Sequence, residues 1–311
     1  MFAVARLLGG VPDSHGEGTV LDWASPMSAV AYAPEIDPHE VLERGSVLVL
    51  PEPPFSVSEE ERALIASIRE TGRRHKNIAY KPLRGELSGL GRWAGAAREP
   101  MRALLKRYSE AAIACAGELL PRYRGRWRVD YASLRPLEES GRRLPFKQRN
   151  DLLHTDAFPT RPTFGGLILR FFWNLHPSRP RVWVTSDPFP MLARRYAAAA
   201  GLERLSRRRG IGAALHALGI PVRHRSPYDN FMLAFHDYLK RNLQFQLTCQ
   251  KQRIEFPPGT AWMAFTDIVP HAVESGQYAM EQTLIVPREA LAAPERAPVS
   301  VLESLAGRPL V

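Results

Sequence analysis

The spacing of apolar residues changes partway along the chain. Between residues 56 and 121 they recur at helical intervals, in SVSEEERALIASIRETGRR and in REPMRALLKRYSEAAIACAGELL. The first segment opens with a Ser and, three residues later, a Glu, which is the spacing of a capping box, so a helix is predicted to start near Ser56. Pro121 directly follows the second segment and predicts its end.

After residue 122, alternation of apolar and polar residues predicts strands. The pattern is found in RWRVDYASLRPLE, GGLILRFFWNLHP, RVWVTS, FQLTCQKQRIEFPPGTAWMAF and YAMEQTLIVP. Two helical segments, MLARRYAAAA and SPYDNFMLAFHDYLKRN, interrupt these strands and predict a helical insertion at about 188–242. Helices followed by strands with a helical insertion favour an α+β fold around a curled or sandwiched antiparallel sheet.

We expect one domain covering residues 1–311, a length that can bury a large core. Within it, 1–55 is predicted to be an extended lead-in, 56–121 a helical support region and 122–290 the β core with its insertion. There is no apolar run of about 18 residues, so no transmembrane helix is expected. The first residues lack a basic n-region and a clean small-residue cleavage site, so no signal peptide is expected. The chain contains only two cysteines, which fits a reducing cytoplasm.

The net charge of +10, carried mainly by arginine, favours anionic partners. Arginine-rich runs are RYRGRWR, GRRLPFKQR, SRRRG and RHR. Such a surface attracts nucleic acid, a phosphorylated glycolipid or an anionic membrane face. A merely solvated arginine-rich surface explains the charge equally well.

Candidate chemistry begins with His154 and Asp156, in the segment DLLHTDAFPTRP. On a strand, residues two apart point to the same side, so an imidazole and a carboxylate would be presented together. The pair alone is weak evidence, because His15 and Glu17 have the same spacing.

His271 supplies the context that strengthens this pair. It follows a Pro-Gly turn, an apolar strand and a short loop, and a further strand comes after it. Double-stranded β-helix oxygenases present the last histidine of a two-histidine, one-carboxylate triad in this way. That triad leaves three positions open on Fe(II), enough for a bidentate 2-oxo acid and O2. A zinc site would more often be tetrahedral, so iron is favoured.

The anchor for 2-oxoglutarate is predicted at Arg170. Many such oxygenases carry an Arg or Lys ten to thirteen residues after the last histidine, but here residues 281–284 read Glu-Gln-Thr-Leu. Arg170 shares one strand face with Asn174, opposite an apolar face, and an interior arginine needs an anion. Asn174 is therefore predicted to help bind the co-substrate. The alternative is an arginine paired with the protein's own acids. Arg135, on an upstream strand, is a second candidate for co-substrate or substrate, or else a surface arginine.

Three segments together resemble the Kdo 3-hydroxylases of Gram-negative bacteria, where Kdo is 3-deoxy-D-manno-oct-2-ulosonic acid. They are HTDAFPTRPTFGGLILRFFWNLHPSRPRVWVTSDPF, SPYDNFMLAFHDYLKRN and HAVESGQYAMEQT, and the resemblance runs from about Pro51 to about Pro287. It implies a double-stranded β-helix of the jelly-roll or cupin-like type. It also implies an Fe(II)/2-oxoglutarate-dependent dioxygenase that converts Kdo to its 3-hydroxylated form, Ko, in the lipid A–inner core of lipopolysaccharide.

The resemblance also implies residue roles and a location. His154, Asp156 and His271 would bind the iron, while Arg170 would hold the co-substrate. The substrate would be a Kdo-containing lipid A precursor. The enzyme would be cytoplasmic and peripheral on the anionic inner-membrane surface, with SRRRG and GRRLPFKQR as candidate docking segments.

Two other classes remain as alternatives. AlkB-like nucleic-acid demethylases typically carry two arginines six residues apart after the last histidine, whereas here the next arginines are Arg288 and Arg296, so no nucleic-acid partner is expected. A cupin-like metal-binding protein without oxygenase activity would usually have lost one of the three ligands. The sequence leaves the oligomeric state open.

Overall fold

The computed structural model describes residues 29–50, 52–68, 77–91, 95–142, 144–207 and 224–311. In this part of the chain the strands form one large and one small sheet. The large sheet contains, in spatial order, β1 (Ala29–Ala31), β2 (Val47–Leu50), β9 (Ala261–Phe265), β6 (Leu167–Asn174), β11 (Ala279–Val286), β5 (Arg128–Arg135), β3 (Ile78–Lys81) and β4 (Glu86–Ser88). All of its neighbours are antiparallel except β1 and β2.

The small sheet has the order β10 (His271–Ser275), β7 (Arg181–Thr185) and β8 (Gln252–Phe256), and is antiparallel throughout. A compact aromatic cluster joins the two sheets. Phe172 and Trp262 from the large sheet meet Trp183 and Phe256 from the small one, and the rings of Phe256 and Trp262 stack at 3.8 Å. The predicted α+β fold with a jelly-roll core is confirmed.

The helices lie outside these sheets. They are α1 (Pro38–Glu43), α2 (Glu59–Ser67), α3 (Arg98–Leu119), α4 (Phe189–Tyr196), α5 (Leu202–Ser206), α6 (Pro227–Arg241), α7 (Leu243–Thr248) and α8 (Pro298–Ala306). Single turns of 3₁₀ helix occupy Phe146–Gln148, Arg288–Ala290 and Pro294–Arg296. Among the described helices, none combines the length and the apolar character needed to cross a membrane.

Helix α3 packs against the large sheet on the side of the apolar face of β6. Tyr108 is completely buried and donates a hydrogen bond from its hydroxyl to the backbone carbonyl of Phe171, at 3.0 Å. Leu104 and Leu105 belong to the same core cluster as Leu169. The opposite face of β6, which carries Arg170, is therefore left for the interior between the sheets.

The N-terminal part differs from the sequence expectation. Residues 29–50, expected to be extended lead-in, contain β1, α1 and β2, and β2 pairs with β9 inside the large sheet. Elements this short show little periodicity, and tertiary pairing stabilises them. The region expected to be helical support also contains the β3–β4 hairpin. Helix α2 begins after Ser58 rather than near Ser56, since Ser58 and Glu61 form the capping box.

The insertion starts with α4 at Phe189, close to the predicted residue 188, but extends past the predicted end at about 242. Its described residues contain α4, α5 and α6, and α7 continues it to Thr248. Residues 208–223 and the lead-in before residue 29 lie outside the described residues.

Candidate metal centre

Backbone hydrogen bonds bring the three candidate ligands together. His154 and His271 form an antiparallel bridge, in which each backbone N–H donates to the other's carbonyl, at 3.2 and 2.9 Å. The N–H of Asp156 donates to the carbonyl of Thr266 at 2.9 Å. Both segments are therefore fixed through the main chain, and the side chains of His154, Asp156 and His271 point to one place.

One potential ligand atom from each of these three side chains lies within 4.8 Å of the other two. His154 and His271 are buried, with 3% and 6% of their surface exposed, whereas the side chain of Asp156 is 14% exposed. The carboxylate is thus the side of the cluster nearest to solvent.

Each of the two histidines has one ring nitrogen already engaged. Nδ1 of His154 lies 2.7 Å from the carbonyl of Leu152, and Nδ1 of His271 lies 2.9 Å from the carbonyl of Val269. A carbonyl can only accept, so Nδ1 carries the proton and Nε2 has a free lone pair in both neutral rings. This second interaction is the usual means of orienting a metal-binding histidine.

The electrostatics keep all three groups in the form that binds a metal. Burial lowers the pKa of His154 and of His271, so both imidazoles stay neutral. Burial alone would raise the pKa of Asp156, but the positive charge of the adjacent Arg170 outweighs it and lowers the pKa. Oδ2 of Asp156 lies 3.1 Å from Nε of Arg170 without an aligned hydrogen bond, so this carboxylate oxygen remains available.

Aromatic rings support the histidines from two sides. The ring of His271 stacks on Trp183, with centroids 4.9 Å apart. His236 from α6 packs edge-on against His154 at 4.8 Å, and its Nδ1 lies 2.8 Å from the carbonyl of Thr155. His236 and His176 are not part of the three-residue cluster.

Arg170 meets two carboxylates. Its Nη1 donates to Oε2 of Glu281 at 2.9 Å, in addition to its contact with Asp156. Arg135 also donates twice to Oε2 of Glu281, at 2.9 and 2.8 Å, and Ser133 donates to Oε1. Glu281 lies where many such oxygenases carry an Arg or Lys after the last histidine. Here it is instead the acid that holds both Arg135 and Arg170.

Arg181, at the start of β7, was missed by the sequence reasoning. It is 1% exposed, donates from Nη1 to the carbonyl of Gly276 at 3.2 Å, and its Nε has no partner among the described residues. No carboxylate of those residues lies within ion-pair distance of it. Burial, with the charge of Arg135, lowers its pKa to about 10. The sequence contained one signal for Arg181: it lies two residues before Trp183, so both side chains point to the same side of β7. In the structure, Trp183 contacts the candidate ligand His271.

The amide of Asn174 is engaged by the protein itself. Its nitrogen donates to the carbonyls of Arg179 and Phe256, at 3.0 and 2.9 Å, and its oxygen accepts from the N–H of His176 at 3.0 Å. Asn174 thus connects the end of β6 to two neighbouring segments. Its contact with the co-substrate stays a prediction.

The donor set of two neutral imidazoles and one carboxylate suits Fe(II) bound on one face. Residues 28–309 match the family of 3-deoxy-D-manno-oct-2-ulosonic acid (Kdo) hydroxylases. The chain belongs to the Kdo hydroxylase family. No curated protein sequence matches it.

Solved structures of a Kdo hydroxylase, KdoO, described as a non-heme Fe(II) alphaketoglutarate-dependent dioxygenase, are similar to this family member. The complex with alphaketoglutarate and Fe(III) shares 33% identity, covers 91% of this chain and 97% of its own, and superposes with a TM-score of 0.79. The complex with cobalt(II) has the same identity and coverage and a TM-score of 0.80. The complex with succinate and Fe(III) shares 32% identity over the same shares of both chains, with a TM-score of 0.78. The enzyme class inferred from the sequence, an Fe(II)/2-oxoglutarate-dependent dioxygenase, is confirmed.

Proposed function

We propose that this dioxygenase hydroxylates Kdo at C3, giving Ko, in the lipid A–inner core of lipopolysaccharide. One oxygen atom of O2 enters the sugar, and the other enters the succinate that forms from 2-oxoglutarate with loss of CO2. The observation that carries the proposal is the convergence of His154, Asp156 and His271, with both Nε2 atoms free, in a chain of this family.

His154, Asp156 and His271 would hold the iron. Bound Fe(II), together with 2-oxoglutarate and O2, supplies the oxidising chemistry that replaces a C–H bond by C–OH. The protein's part is to fix the ligands: the backbone bridge sets the spacing of the two imidazoles, and the carbonyls of Leu152 and Val269 set their tautomers. Burial of the histidines excludes water from that side, so substrate would approach past the partly exposed Asp156.

The arginines next to the ligands would hold 2-oxoglutarate. Arg135, Arg170 and Arg181 supply more positive charge than Glu281 and Glu139 balance. Fe(II) with one aspartate ligand would add further positive charge, which the dianion 2-oxoglutarate would offset. A planar guanidinium also matches a carboxylate bidentately.

Arg170 remains a candidate for the distal carboxylate, but Glu281 already accepts from its Nη1, and the charge of Asp156 lies 3.1 Å from its Nε. Arg181 has no such partner among the described residues, and a buried guanidinium without an anion is costly. We therefore add Arg181 to Arg170 as an anchor. Arg135 would act mainly by holding Glu281 in position.

The natural substrate would be a Kdo-containing lipid A precursor, reached from the cytoplasmic side of the inner membrane. The net charge of +10 supports this location, because lipid A phosphates and an anionic leaflet attract basic proteins. The enzyme would bind there as a peripheral protein.

The test is a reaction of the Fe(II)-loaded protein with 2-oxoglutarate, O2 and a Kdo-containing lipid A precursor. The lipid product should gain the mass of one oxygen atom, with one succinate formed per hydroxylation. Asp156→Ala should abolish both products and weaken Co(II) binding, followed by its visible absorption. The matched control is Asp151→Ala, which removes a half-exposed carboxylate from the same segment and should leave turnover unchanged.

If succinate forms without oxygen in the sugar, the protein is an oxygenase of another substrate. If neither product forms although metal binds, it is a metal-binding protein without this activity.

A further inference from the structure

Two clefts, each of about 230 Å³, lie side by side on the surface of the large sheet and share one arginine, Arg128. The first is formed by the β3–β4 hairpin and the start of β5, and the second by the segments around Gly165 and Pro287. We call their combined surface the basic face. Its cationic residues are Lys81, Arg84, Arg126, Arg128, Arg161 and Arg288.

Three of these cations have no carboxylate partner among the described residues. Arg126 and Arg128 are exposed and donate only to backbone carbonyls, those of Glu289 and Pro162, and Arg84 is exposed on the hairpin loop. The other three cations of the basic face are paired with the protein's own acids. The face therefore retains a surplus of fixed positive charge that can bind several anionic groups at once.

An apolar side chain stands beside these arginines at the tip of the hairpin. Leu83 is 81% exposed, in a loop closed by hydrogen bonds from the N–H groups of Arg84 and Gly85 to the carbonyl of Lys81, at 3.0 and 2.9 Å. Gly85 has a φ of +65°, which permits this tight closure. The loop holds Leu83 away from the core on a short, rigid hairpin.

A second apolar side chain stands at the other cleft. Phe164 is 45% exposed and has a φ of +51°, a left-handed conformation that is unusual for an aromatic residue. Asp229 holds it there, because its Oδ1 accepts the N–H groups of Thr163 and Phe164 at 2.8 and 3.2 Å. The fold thus maintains a local strain that leaves an aromatic ring at the surface.

The basic face is connected to the metal centre through a stack of side chains. The guanidinium of Arg161 lies over the rings of Tyr131 and Phe158, at 4.2 Å from each centroid. Phe158 in turn lies 5.5 Å below the guanidinium of Arg170, and it follows Asp156 by two residues. A molecule bound at the basic face would therefore lie beside the carboxylate side of the metal centre.

We propose that the basic face is the surface by which the protein docks on an anionic phospholipid bilayer. Arg84, Arg126 and Arg128 bind lipid phosphates, while Leu83 and Phe164 enter the interfacial region. Charge complementarity selects an anionic surface. The exposed side chains of Leu83 and Phe164 favour a lipid surface over nucleic acid, because a bilayer interface can bury both apolar groups next to its phosphates. The inference deepens the proposed function, since it places the metal centre next to the membrane that carries the lipid substrate.

This surface is different from the docking segments expected from the sequence, which stay a prediction. In GRRLPFKQR, Arg142 lies 4.0 Å from Glu139 and Arg149 pairs with Asp151 at 2.5 Å, whereas Lys147 is exposed and residue 143 lies outside the described residues. Most of SRRRG lies outside the described residues.

The experiment measures cosedimentation of the full-length protein with phosphatidylcholine vesicles that contain or lack phosphatidylglycerol. The wild type should bind only the anionic vesicles, less tightly as salt rises. Arg84→Glu/Arg126→Glu/Arg128→Glu should lose at least about a hundredfold in affinity, at roughly 1 kcal/mol per basic residue. Leu83→Ser, which keeps the charge, should lose about tenfold.

The matched control makes the same change of charge elsewhere. Arg194→Glu/Arg195→Glu/Lys251→Glu alters three exposed cations outside both clefts and should bind almost as the wild type does. Equal losses in the two triple variants would overturn the assignment of this face, as would wild-type affinity in the first. Binding to duplex DNA but not to vesicles would overturn the choice of a bilayer.

The vesicle-binding test and the test of the proposed function can fail independently of each other. Vesicle binding needs neither iron nor turnover, and succinate formation without lipid should be equal in the wild type and both triple variants. Arg84→Lys/Arg126→Lys/Arg128→Lys should retain most of the binding, because point charges suffice for phosphate attraction. If this variant instead binds as poorly as the glutamate variant, the docking assignment fails.

Discussion

The imidazole of His271 stacks on the indole of Trp183, with ring centroids 4.9 Å apart and planes inclined by 20°. Trp183 is itself held edge-on by Phe172, Phe256 and Trp262, and it is 1% exposed. The aromatic cluster between the sheets thus ends on a candidate metal ligand. The packing of this core and the orientation of the ligand are consequently coupled.

Replacing Trp183 should therefore weaken metal binding more than a comparable substitution elsewhere in the core does. Trp183→Leu leaves a cavity beneath His271 and should weaken Co(II) binding by about tenfold or more, as loss of ligand support commonly does. Phe245→Leu, in a fully buried aromatic position on α7, is the control. It should lower the free energy of unfolding by about 1 to 2 kcal/mol without changing metal affinity. Equal metal affinities in the two variants would contradict the coupling.

Arg181 and Arg170 can be separated by kinetics. Arg181→Leu should raise the KM for 2-oxoglutarate by more than tenfold, since a charge-assisted bidentate contact is worth a few kcal/mol. Arg170→Leu should also raise it, by a smaller factor, because the charge of Arg170 is already balanced by Glu281 and Asp156. Arg170→Lys should restore only part of the affinity.

In both leucine variants Co(II) should still bind, which distinguishes a missing anchor from a collapsed site. An unchanged KM in Arg170→Leu would exclude that residue as an anchor, and an unchanged KM in Arg181→Leu would exclude the arginine that we added. Arg135 would then be the next residue to test.

The metal-free protein should lose stability in mild acid because of its buried histidines. Burial, with the charge of Lys240, lowers the pKa of His236 to about 4, whereas an unfolded histidine titrates near 6.5. Between these values the unfolded chain binds a proton that the folded protein does not. The free energy of unfolding must therefore fall as pH decreases through this window, by about 1.4 kcal/mol per pH unit for one histidine.

His236→Asn should reduce that slope by about one proton, as measured by urea denaturation from pH 6.5 to pH 4. Glu281, whose pKa its arginines lower to about 2 against the effect of burial, stays charged in the folded protein over this range. An unchanged slope in the variant would mean that His236 is protonated in the folded state.

Glu43 connects the first described helix to the C-terminal segment. Its carboxylate accepts the hydroxyl of Tyr123 at 2.6 Å and the N–H groups of Ala292 and Ala293 at 2.8 Å each, and it is 1% exposed. Glu43→Gln would turn an amide donor toward one of these donors and should cost about 2 to 3 kcal/mol of unfolding free energy. Glu40→Gln, an exposed position in the same helix, should cost almost nothing. Equal costs would contradict this role.

The three metal ligands could be predicted from the sequence because local residue spacing indicates which side chains point in the same direction. His154 and Asp156 show strand spacing, and His271 starts a strand after a turn that the sequence marks with Pro and Gly. What the pattern could not supply was the backbone bridge between the two histidines, since pairing between remote segments depends on the whole sheet.

The co-substrate region was less predictable for a related reason. An arginine on a strand shows that an anion is needed but does not say which one. Glu281 was interpreted as a missing cation, whereas in three dimensions it holds Arg135 and Arg170. Arg181 was overlooked because it lies among arginines and prolines at the start of a strand, where a surface position is the simpler interpretation.

The reciprocal hydrogen bonds between His154 and His271 have a consequence for how the protein acquires its metal. The two residues are far apart in the chain, and each belongs to a segment that is ordered by a different part of the fold. An unfolded or half-closed chain has no such pair of imidazoles at a fixed separation. The metal site therefore forms only after the strands have paired. A newly made chain would not bind redox-active iron at this site before the surrounding fold can shield the iron from solvent.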